Sequence, residues 1–260
     1  MGVLPLETGI TYGPVTSRRL GVSLGINVLP LRQKVCSFDC VYCHYGRTTL
    51  KTLSAEEQDF PGPTLVIAAV EKALRLYRQV DALTFSGNGE PTLHPYFADI
   101  AYGIRRLRDR LAPQARVALF SNATTAAHPH IQTALAHIDL PIMKLDAGDP
   151  KTFARVDRPA AGVTLESVIA GLKQVRGCII QSVLIDGEVS NIHGAPFEAW
   201  VNAIAEIRPA RVQIYSTDYP VAEAGVQKVP PFVLRRIAEE VTERTGVQVD
   251  AYWAELPSFM

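Results

Sequence analysis

Six short apolar runs, separated by longer amphipathic stretches, restrict how this chain can bury its hydrophobic residues. The runs are residues 23–29, 82–85, 116–120, 141–145, 179–185 and 211–215. Apolar runs of this length, bounded by turn-forming residues, read as strands. The intervening stretches 64–78, 95–111, 129–137, 165–175, 196–207 and 231–245 read as helices. In the first of these, Leu65, Ala68, Ala69, Lys72 and Leu76 approximate one helix face behind Pro63. Gly177 and Gly246 stand where helix C-caps are expected. Strands alternating with helices predict a largely parallel sheet of six strands.

At 260 residues the chain is long enough for one sizeable core, and no linker of domain-separating length interrupts it. We expect one domain over 1–260: an N-terminal extension 1–20, a core 21–215, and a C-terminal helix and tail 216–260. Lys plus Arg total 26 and Asp plus Glu total 26, so no global basic field attracts nucleic acid or a membrane surface. That balance counts against an RNA substrate. The start, Met1-Gly2-Val3-Leu4-Pro5-Leu6, has no basic segment leading into a long apolar one, and no run approaches membrane-spanning length. Four unevenly spread cysteines do not resemble a secreted disulfide framework, so the expected compartment is the cytoplasm. On the helix at 95–111, Arg105, Arg106, Arg108 and Arg110, with Asp99 and Asp109 nearby, are expected to form a solvated face.

In parallel strand-helix folds, ligands bind beyond the carboxyl ends of the strands. The loop after the first run carries Cys36, Cys40 and Cys43, three thiols within eight residues. The next loops carry Ser86-Gly87-Asn88-Gly89-Glu90-Pro91, Ser121-Asn122, Lys144-Leu145-Asp146, Asp186-Gly187-Glu188 and Ser216-Thr217-Asp218-Tyr219. Thiols packed this closely suit one soft metal centre, and iron-sulfur clusters are held by such ligands. In a four-iron cluster, three cysteines leave one iron without a protein ligand, which suits an enzyme that coordinates a substrate or cofactor there. The alternative is a structural zinc site closed by His44, but adjacent Cys43 and His44 make a strained chelate.

Cys36-x3-Cys40-x2-Cys43, with Tyr42 before the last cysteine, resembles the cluster motif of the radical S-adenosylmethionine (SAM) superfamily. Gly87-Asn88-Gly89-Glu90-Pro91 resembles its second motif. Residues 12–21, 36–48 and 86–93, together with Phe153, Arg158-Pro159 and 185–191, are similar to the branch containing wyosine-type tRNA synthases and their short bacterial relatives. The resemblance implies an α/β fold, a partial (β/α)6 parallel barrel of the radical SAM type. It implies a 4Fe-4S cluster on Cys36, Cys40 and Cys43 whose open iron takes the amine and carboxylate of SAM. Reductive cleavage would then give a 5'-deoxyadenosyl radical that abstracts hydrogen from a substrate. By position, the resemblance has Tyr42 and Ile185 flanking adenine and Gly87, Asn88, Gly89 and Glu90 holding the methionine moiety. Ser121 and Asn122 would reach the ribose, or merely cap the following helix. The wyosine synthases carry extra cysteines for a second cluster, and here only Cys178 remains. The branch often has an arginine in the sixth-strand loop where this chain has Tyr219.

Lys144 and Asp146 share one face of a short strand, where a charge needs either a partner or a ligand. One of them is expected to contact cofactor or substrate, the alternative being an ion pair that seals the barrel end. Of Arg18 and Arg19, one is expected to grip an anionic substrate and the other to anchor the N-terminal segment. Arg158, Tyr215, Asp218 and Tyr219 are further substrate candidates, with Arg155 similar to Arg158. Cys178 reads as a small buried hydrophobe rather than a hydrogen donor. The expected function is a radical SAM enzyme acting on a small anionic or nucleotide-like substrate, served by an external electron donor such as flavodoxin or ferredoxin, without a membrane partner. The alternatives are a maturase acting on a protein or peptide, a tRNA-modifying enzyme, and a non-catalytic iron-sulfur electron carrier. The missing fourth cysteine and the glycine-rich motif count against the carrier.

Overall fold

The computed structural model describes residues 2–54, 59–218 and 220–254. Eight strands form one curled sheet in the order β1 to β8: β1 Thr11–Ser17, β2 Gly21–Ile26, β3 Ala82–Phe85, β4 Arg116–Ser121, β5 Leu140–Lys144, β6 Ile179–Val183, β7 Arg211–Tyr215 and β8 Val249–Tyr252. Only the β1–β2 pair is antiparallel, and every other neighbouring pair is parallel. The parallel-rich sheet curls into a half-barrel.

The six predicted strands are all present, and the expected count is corrected by one strand at each edge. β1 lies in the stretch expected to be an N-terminal extension. Its side chains are exposed or half-buried, so it lacks the apolar run that marks the others. The fifth predicted strand is shorter than expected. It leaves the sheet after Val183, and Ile185–Gly187 pairs instead with Val226–Lys228.

The helices are α1 Pro63–Leu76, α2 Phe97–Leu111, α3 Pro129–Leu135, α4 Pro150–Val156, α5 Leu165–Leu172, α6 Gly194–Ile207 and α7 Pro231–Thr245. α4 is unanticipated, a seven-residue helix capped by the Asp149 side chain on Thr152 N–H. Proline at the first turn of α1 and α7 removes an N–H that has no helical partner there. Gly246 ends α7 with φ +70°, as expected of a C-cap. Gly177 does not cap α5, which ends at Lys173; its φ of +67° belongs to the turn before β6.

Side chains alternate across each strand, so the sheet has two different faces. The outer face, with Leu24, Phe85, Leu119, Ile180 and Ile214, packs on Val66, Ile104, Trp200 and Val241 of the helices. Each such buried side chain contributes about 1.5–3 kcal/mol. The inner face is closed in part by Leu20, Ala82, Ala118 and Ile142. Further along the same strands it turns polar: Lys144, Gln181 and Gln213 lie side by side across β5, β6 and β7. This change opens the half-barrel toward the carboxyl ends of its strands.

The arginine face of α2 is less solvated than expected. Arg108 is buried, with ion pairs to Asp109 and Asp139 at 2.7 and 2.6 Å, and it donates to the Ala115 carbonyl at 2.5 Å. Asp139, just before β5, draws it inward and also pairs with Arg105. Among the described residues no helix is long and apolar enough to cross a membrane.

Candidate active site

The loop between β2 and α1 has little regular structure, and its shape comes from neighbouring strand-end loops. Val35 N–H donates to Asn88 O and Val35 O accepts from Glu90 N–H, both at 3.0 Å, which joins the thiol loop to the glycine-rich loop. Gly89 makes that approach feasible. Its φ is +136°, and a Cβ there would lie 1.8 Å from the Val35 carbonyl oxygen. On the other side, Asp39 N–H donates to Asp157 O at 3.0 Å, Val41 N–H to Val156 O at 3.0 Å, and Ala160 N–H to Ser37 O at 2.8 Å.

Cys36, Cys40 and Cys43 wall a cavity of about 190 Å³ together with Gly89, Glu90, Phe120, Ser121, Asn122, Lys144, Gln181, Val183 and Tyr215. A larger groove of about 800 Å³ runs between α7 and β8 and contains no thiol. Cys36 Sγ accepts from Phe38 N–H at 3.4 Å and from Asn122 Nδ2 at 3.6 Å. Cys43 Sγ accepts from Lys34 Nζ at 3.0 Å. Burial pushes the Cys36 thiol up to about 12, with the nearby Glu90 carboxylate adding to the effect, and burial also raises Cys40 well above its ordinary range. Loading a metal therefore displaces protons from these thiols. Among the described residues no three Cys, His, Asp or Glu side chains are drawn in closely enough for a single ion. Three thiols facing one wider cavity, with N–H donors on two of the sulfurs, form a donor set that fits a multi-iron cluster.

Lys34 was not among the sequence candidates. It is buried at 3 % exposure, and its ammonium is held by Cys43 Sγ and, at 2.6 Å, by the Gly46 carbonyl. Only a cation two residues before Cys36 signals it in the sequence.

The Glu90 carboxylate caps the short 3-10 helix Pro91–Leu93, accepting from Thr92 N–H at 3.1 Å, Thr92 Oγ1 at 2.6 Å and Asn122 N–H at 2.6 Å. Burial nevertheless raises its pKa above the ordinary carboxylate value. Asn122 does more than cap, since its Nδ2 also holds Ser37 Oγ at 2.8 Å. Ser121 Oγ accepts from Ala123 N–H at 3.0 Å. Asn88 faces away from the cavity: its side chain bonds Glu7 N–H at 2.8 Å, Glu7 O at 2.9 Å and Pro30 O at 3.0 Å. Gly87, at φ +122°, packs on Asn27, and neither it nor Asn88 is part of the cavity wall. Tyr42 is part of the cavity wall, whereas Ile185, in an apolar cluster with Tyr42 and Val183, is not.

At the end of β5, Lys144 pairs with both Asp146 and Asp157, the latter at 2.9 Å, and lies 4.5 Å from the Tyr42 ring centroid. The Tyr42 hydroxyl donates to Asp146, whose other oxygen accepts from Val183 N–H at 2.9 Å. Burial opposes the Lys144 charge, yet the two carboxylates hold its pKa well above the usual lysine range. Burial lifts Asp157 to about 7 even though Lys144 pulls it back, and it lifts Asp146 in the same direction. Lys144 thus forms the ion pair and also faces the cavity, whereas Asp146 supports it from behind.

The two arginines before β2 take different positions. Arg18 pairs with Asp218 at 2.6 Å, and Asp218 also holds Lys228 at 2.7 Å. Arg19 instead lies over the rings of Tyr215 and Phe120, 4.8 and 5.3 Å from their centroids. Arg158 pairs with Glu223 at 2.9 Å, and Arg155 donates to Glu188 O at 2.7 Å. Tyr219 lies outside the described residues. Cys178 is buried in the main core, away from the cavity, and burial pushes its thiol up to about 12.

The sequence model of the Radical SAM superfamily matches residues 31–193, a span that includes the thiol loop, the glycine-rich loop and Lys144 to Asp157. A UPF0026 protein of Methanocaldococcus jannaschii is 29% identical over 243 residues, covering 91% of this chain and 72% of that protein. Streptococcus suis SuiB bound to S-adenosylmethionine superposes with a TM-score of 0.63 at 14% identity over 89% of this chain, which spans about half (51%) of the SuiB chain. TYW1 with a lysine-pyruvate adduct bound gives a TM-score of 0.60 at 15% identity, over 86% of this chain and 74% of that one. At these identities the solved structures speak for the fold. The family match spans both motif loops and more than half of the chain, and by it the chain belongs to the radical SAM superfamily, whose enzymes use a 4Fe-4S cluster and SAM.

Proposed function

We propose that Cys36, Cys40 and Cys43 hold a 4Fe-4S cluster, that SAM binds beside it against Gly89, Glu90, Ser121 and Asn122, and that a small anionic or nucleotide-like substrate sits across the cavity against Lys144, Gln181 and Tyr215. The observation that carries this reading is that the three thiols and all these side chains wall one cavity. A cluster held by these thiols would supply the electron for reductive cleavage of SAM and so the radical chemistry of hydrogen abstraction. The chain's own residues orient and shield. Lys34, Asn122 and the Phe38 amide donate to the sulfurs, offsetting thiolate charge. Tyr42 would flank adenine from the wall, with Ile185 packed in the same apolar cluster outside it, and the buried walls exclude water.

A small substrate is favoured over a peptide or tRNA by what covers the thiol loop. Leu4 N–H donates to His44 O at 2.7 Å, and Glu7 is tied to Tyr45 at 2.9 Å and to Asn88. From the other side Glu223 pairs with Arg47 and Arg158, and its N–H donates to Val41 O at 3.1 Å. Flavodoxin or ferredoxin would deliver the electron in the cytoplasm.

The test is anaerobic reconstitution with iron and sulfide, followed by dithionite and SAM. The expected result is about four irons per chain and release of 5'-deoxyadenosine. The Cys40→Ala variant should lose both. An intact cluster that releases no 5'-deoxyadenosine would refute the reading, as would full iron content in the variant.

A further inference from the structure

Two buried donors have no acceptor among the described residues: Gln181 Nε2 in the cavity wall, and Arg19 Nη1 beside the wall residues Phe120 and Tyr215. Gln181 is adjacent to Lys144 across one strand pair and to Gln213 across the next, on the inner face of the half-barrel. Arg19 enters from the turn between β1 and β2, and its guanidinium lies against Tyr215 and Phe120, both part of the cavity wall.

Nearby cations and anions are already matched, with Arg18 on Asp218, Arg158 on Glu223, and Lys144 on Asp146 and Asp157. Among the described residues Arg19 has no ion pair. A buried donor left without an acceptor costs about 1–3 kcal/mol, so two at one cavity call for an explanation. Tyr215 hydrogen-bonds the Arg19 side chain and the two rings stabilise its charge, but Nη1 still has no acceptor and the guanidinium has no counter-charge. Gln213 Oε1, also buried and unpaired on the adjacent strand, carries no charge to match Arg19, whereas an anion supplies acceptor and counter-charge together.

We propose that Arg19 and Gln181 form an anion subsite for the substrate, in which a carboxylate or phosphate oxygen accepts from Arg19 Nη1 and Gln181 Nε2 between the Phe120 and Tyr215 rings. The proposal rests on the reading of this cavity as the substrate chamber of a radical SAM enzyme. It assigns the gripping role to Arg19 and the anchoring role to Arg18. A neutral or cationic substrate end would leave the Arg19 charge unmatched and is selected against.

The test is calorimetric titration of the reconstituted full chain, with SAM present, using propionate as a carboxylate probe and inorganic phosphate as a phosphate probe. Propionamide is the uncharged control. The expected result is saturable binding of at least one anion and none of propionamide. If only propionate binds, the group is a carboxylate; if only phosphate binds, it is a phosphate. A charge-assisted bond is worth enough that Arg19→Gln should weaken binding about tenfold or more, with Arg19→Lys restoring part of the loss. Gln181→Leu should weaken binding several-fold, while Arg106→Gln, an equal charge change on exposed α2, should leave it unaltered. Absence of binding by either anion, or equal binding by Arg19→Gln and the wild type, would overturn the subsite. Release of 5'-deoxyadenosine by the wild-type chain is measured in parallel. If it occurs without anion binding, the subsite fails and the radical chemistry stands; if it is absent despite an intact cluster, the proposed function itself fails.

Discussion

Replacing Gly89 by alanine should separate the thiol loop from the glycine-rich loop. The added Cβ would lie 1.8 Å from Val35 O, and real contacts of this kind are essentially never shorter than 3.0 Å. Backbone faces backbone, so no side-chain rotation relieves the overlap. The segments must part by about 1.2 Å, which stretches the Val35 N–Asn88 O and Glu90 N–Val35 O bonds from 3.0 Å to roughly 4 Å, beyond hydrogen-bonding range. Buried polar groups left unpaired cost about 1–3 kcal/mol for each bond lost, and φ near +136° adds about 1–3 kcal/mol for a residue with a side chain. A loss of about 3 kcal/mol or more is a large fraction of the 5–15 kcal/mol typical of whole domains. Gly177→Ala is the control, because its φ of +67° carries strain but nothing lies within 4 Å of the new carbon; it should cost about 1–2 kcal/mol. Urea denaturation measures both variants, and SAM binding to the reconstituted protein measures the site. If Gly89→Ala is no less stable than Gly177→Ala and binds SAM normally, the tie between the loops does not hold the site together.

Lys144→Met should destabilise the chain by about 3–5 kcal/mol, because two buried carboxylates lose their cation; a urea midpoint equal to wild type would contradict this. The Asp157 pKa of about 7 lies above the ordinary carboxylate value of about 4, so the folded chain binds more protons between those values. This group's contribution to stability therefore falls as pH rises from about 4 to 7, and Asp157→Asn should flatten that slope in melts of the metal-free protein. Lys34→Met removes a buried cation from Cys43 Sγ and should lower the midpoint potential of the reconstituted cluster in an EPR-monitored redox titration; an unchanged or higher potential would remove Lys34 from that role. Cys178, buried and pushed up to about 12, should resist iodoacetamide at pH 8 until the chain is unfolded, and rapid labelling of Cys178 itself in the native protein, read by peptide mass spectrometry, would contradict its place in the core.

The strands buried on both faces were legible because an unbroken apolar run is what such burial requires. β1 was not: Thr11–Ser17 sits at the edge with every side chain exposed or half-buried and carries no run to detect. The thiol triplet and the glycine-rich loop were legible because local spacing alone defines them. Gln181 and Lys34 were not, since their importance comes from register and burial: Gln181 matters through Lys144 across the strand pair, and Lys34 through a sulfur nine residues on. Arg18 and Arg19 are adjacent in sequence, and only folding gives one a carboxylate and leaves the other with two rings. Arg108 shows the same limit, because the Asp139 that draws it inward belongs to another segment.

The thiol loop takes its shape from contacts with Asn88, Val156, Asp157 and Ala160, all contributed by segments that follow it in the chain. A ribosome releasing this chain exposes the three thiols long before those partners exist. Cysteine placement is thus a late event in folding, and metal arriving early meets three thiols on an unshaped strand. Iron and sulfide should therefore be supplied to refolded protein rather than during refolding, and the yield of correctly loaded chains should depend on that order.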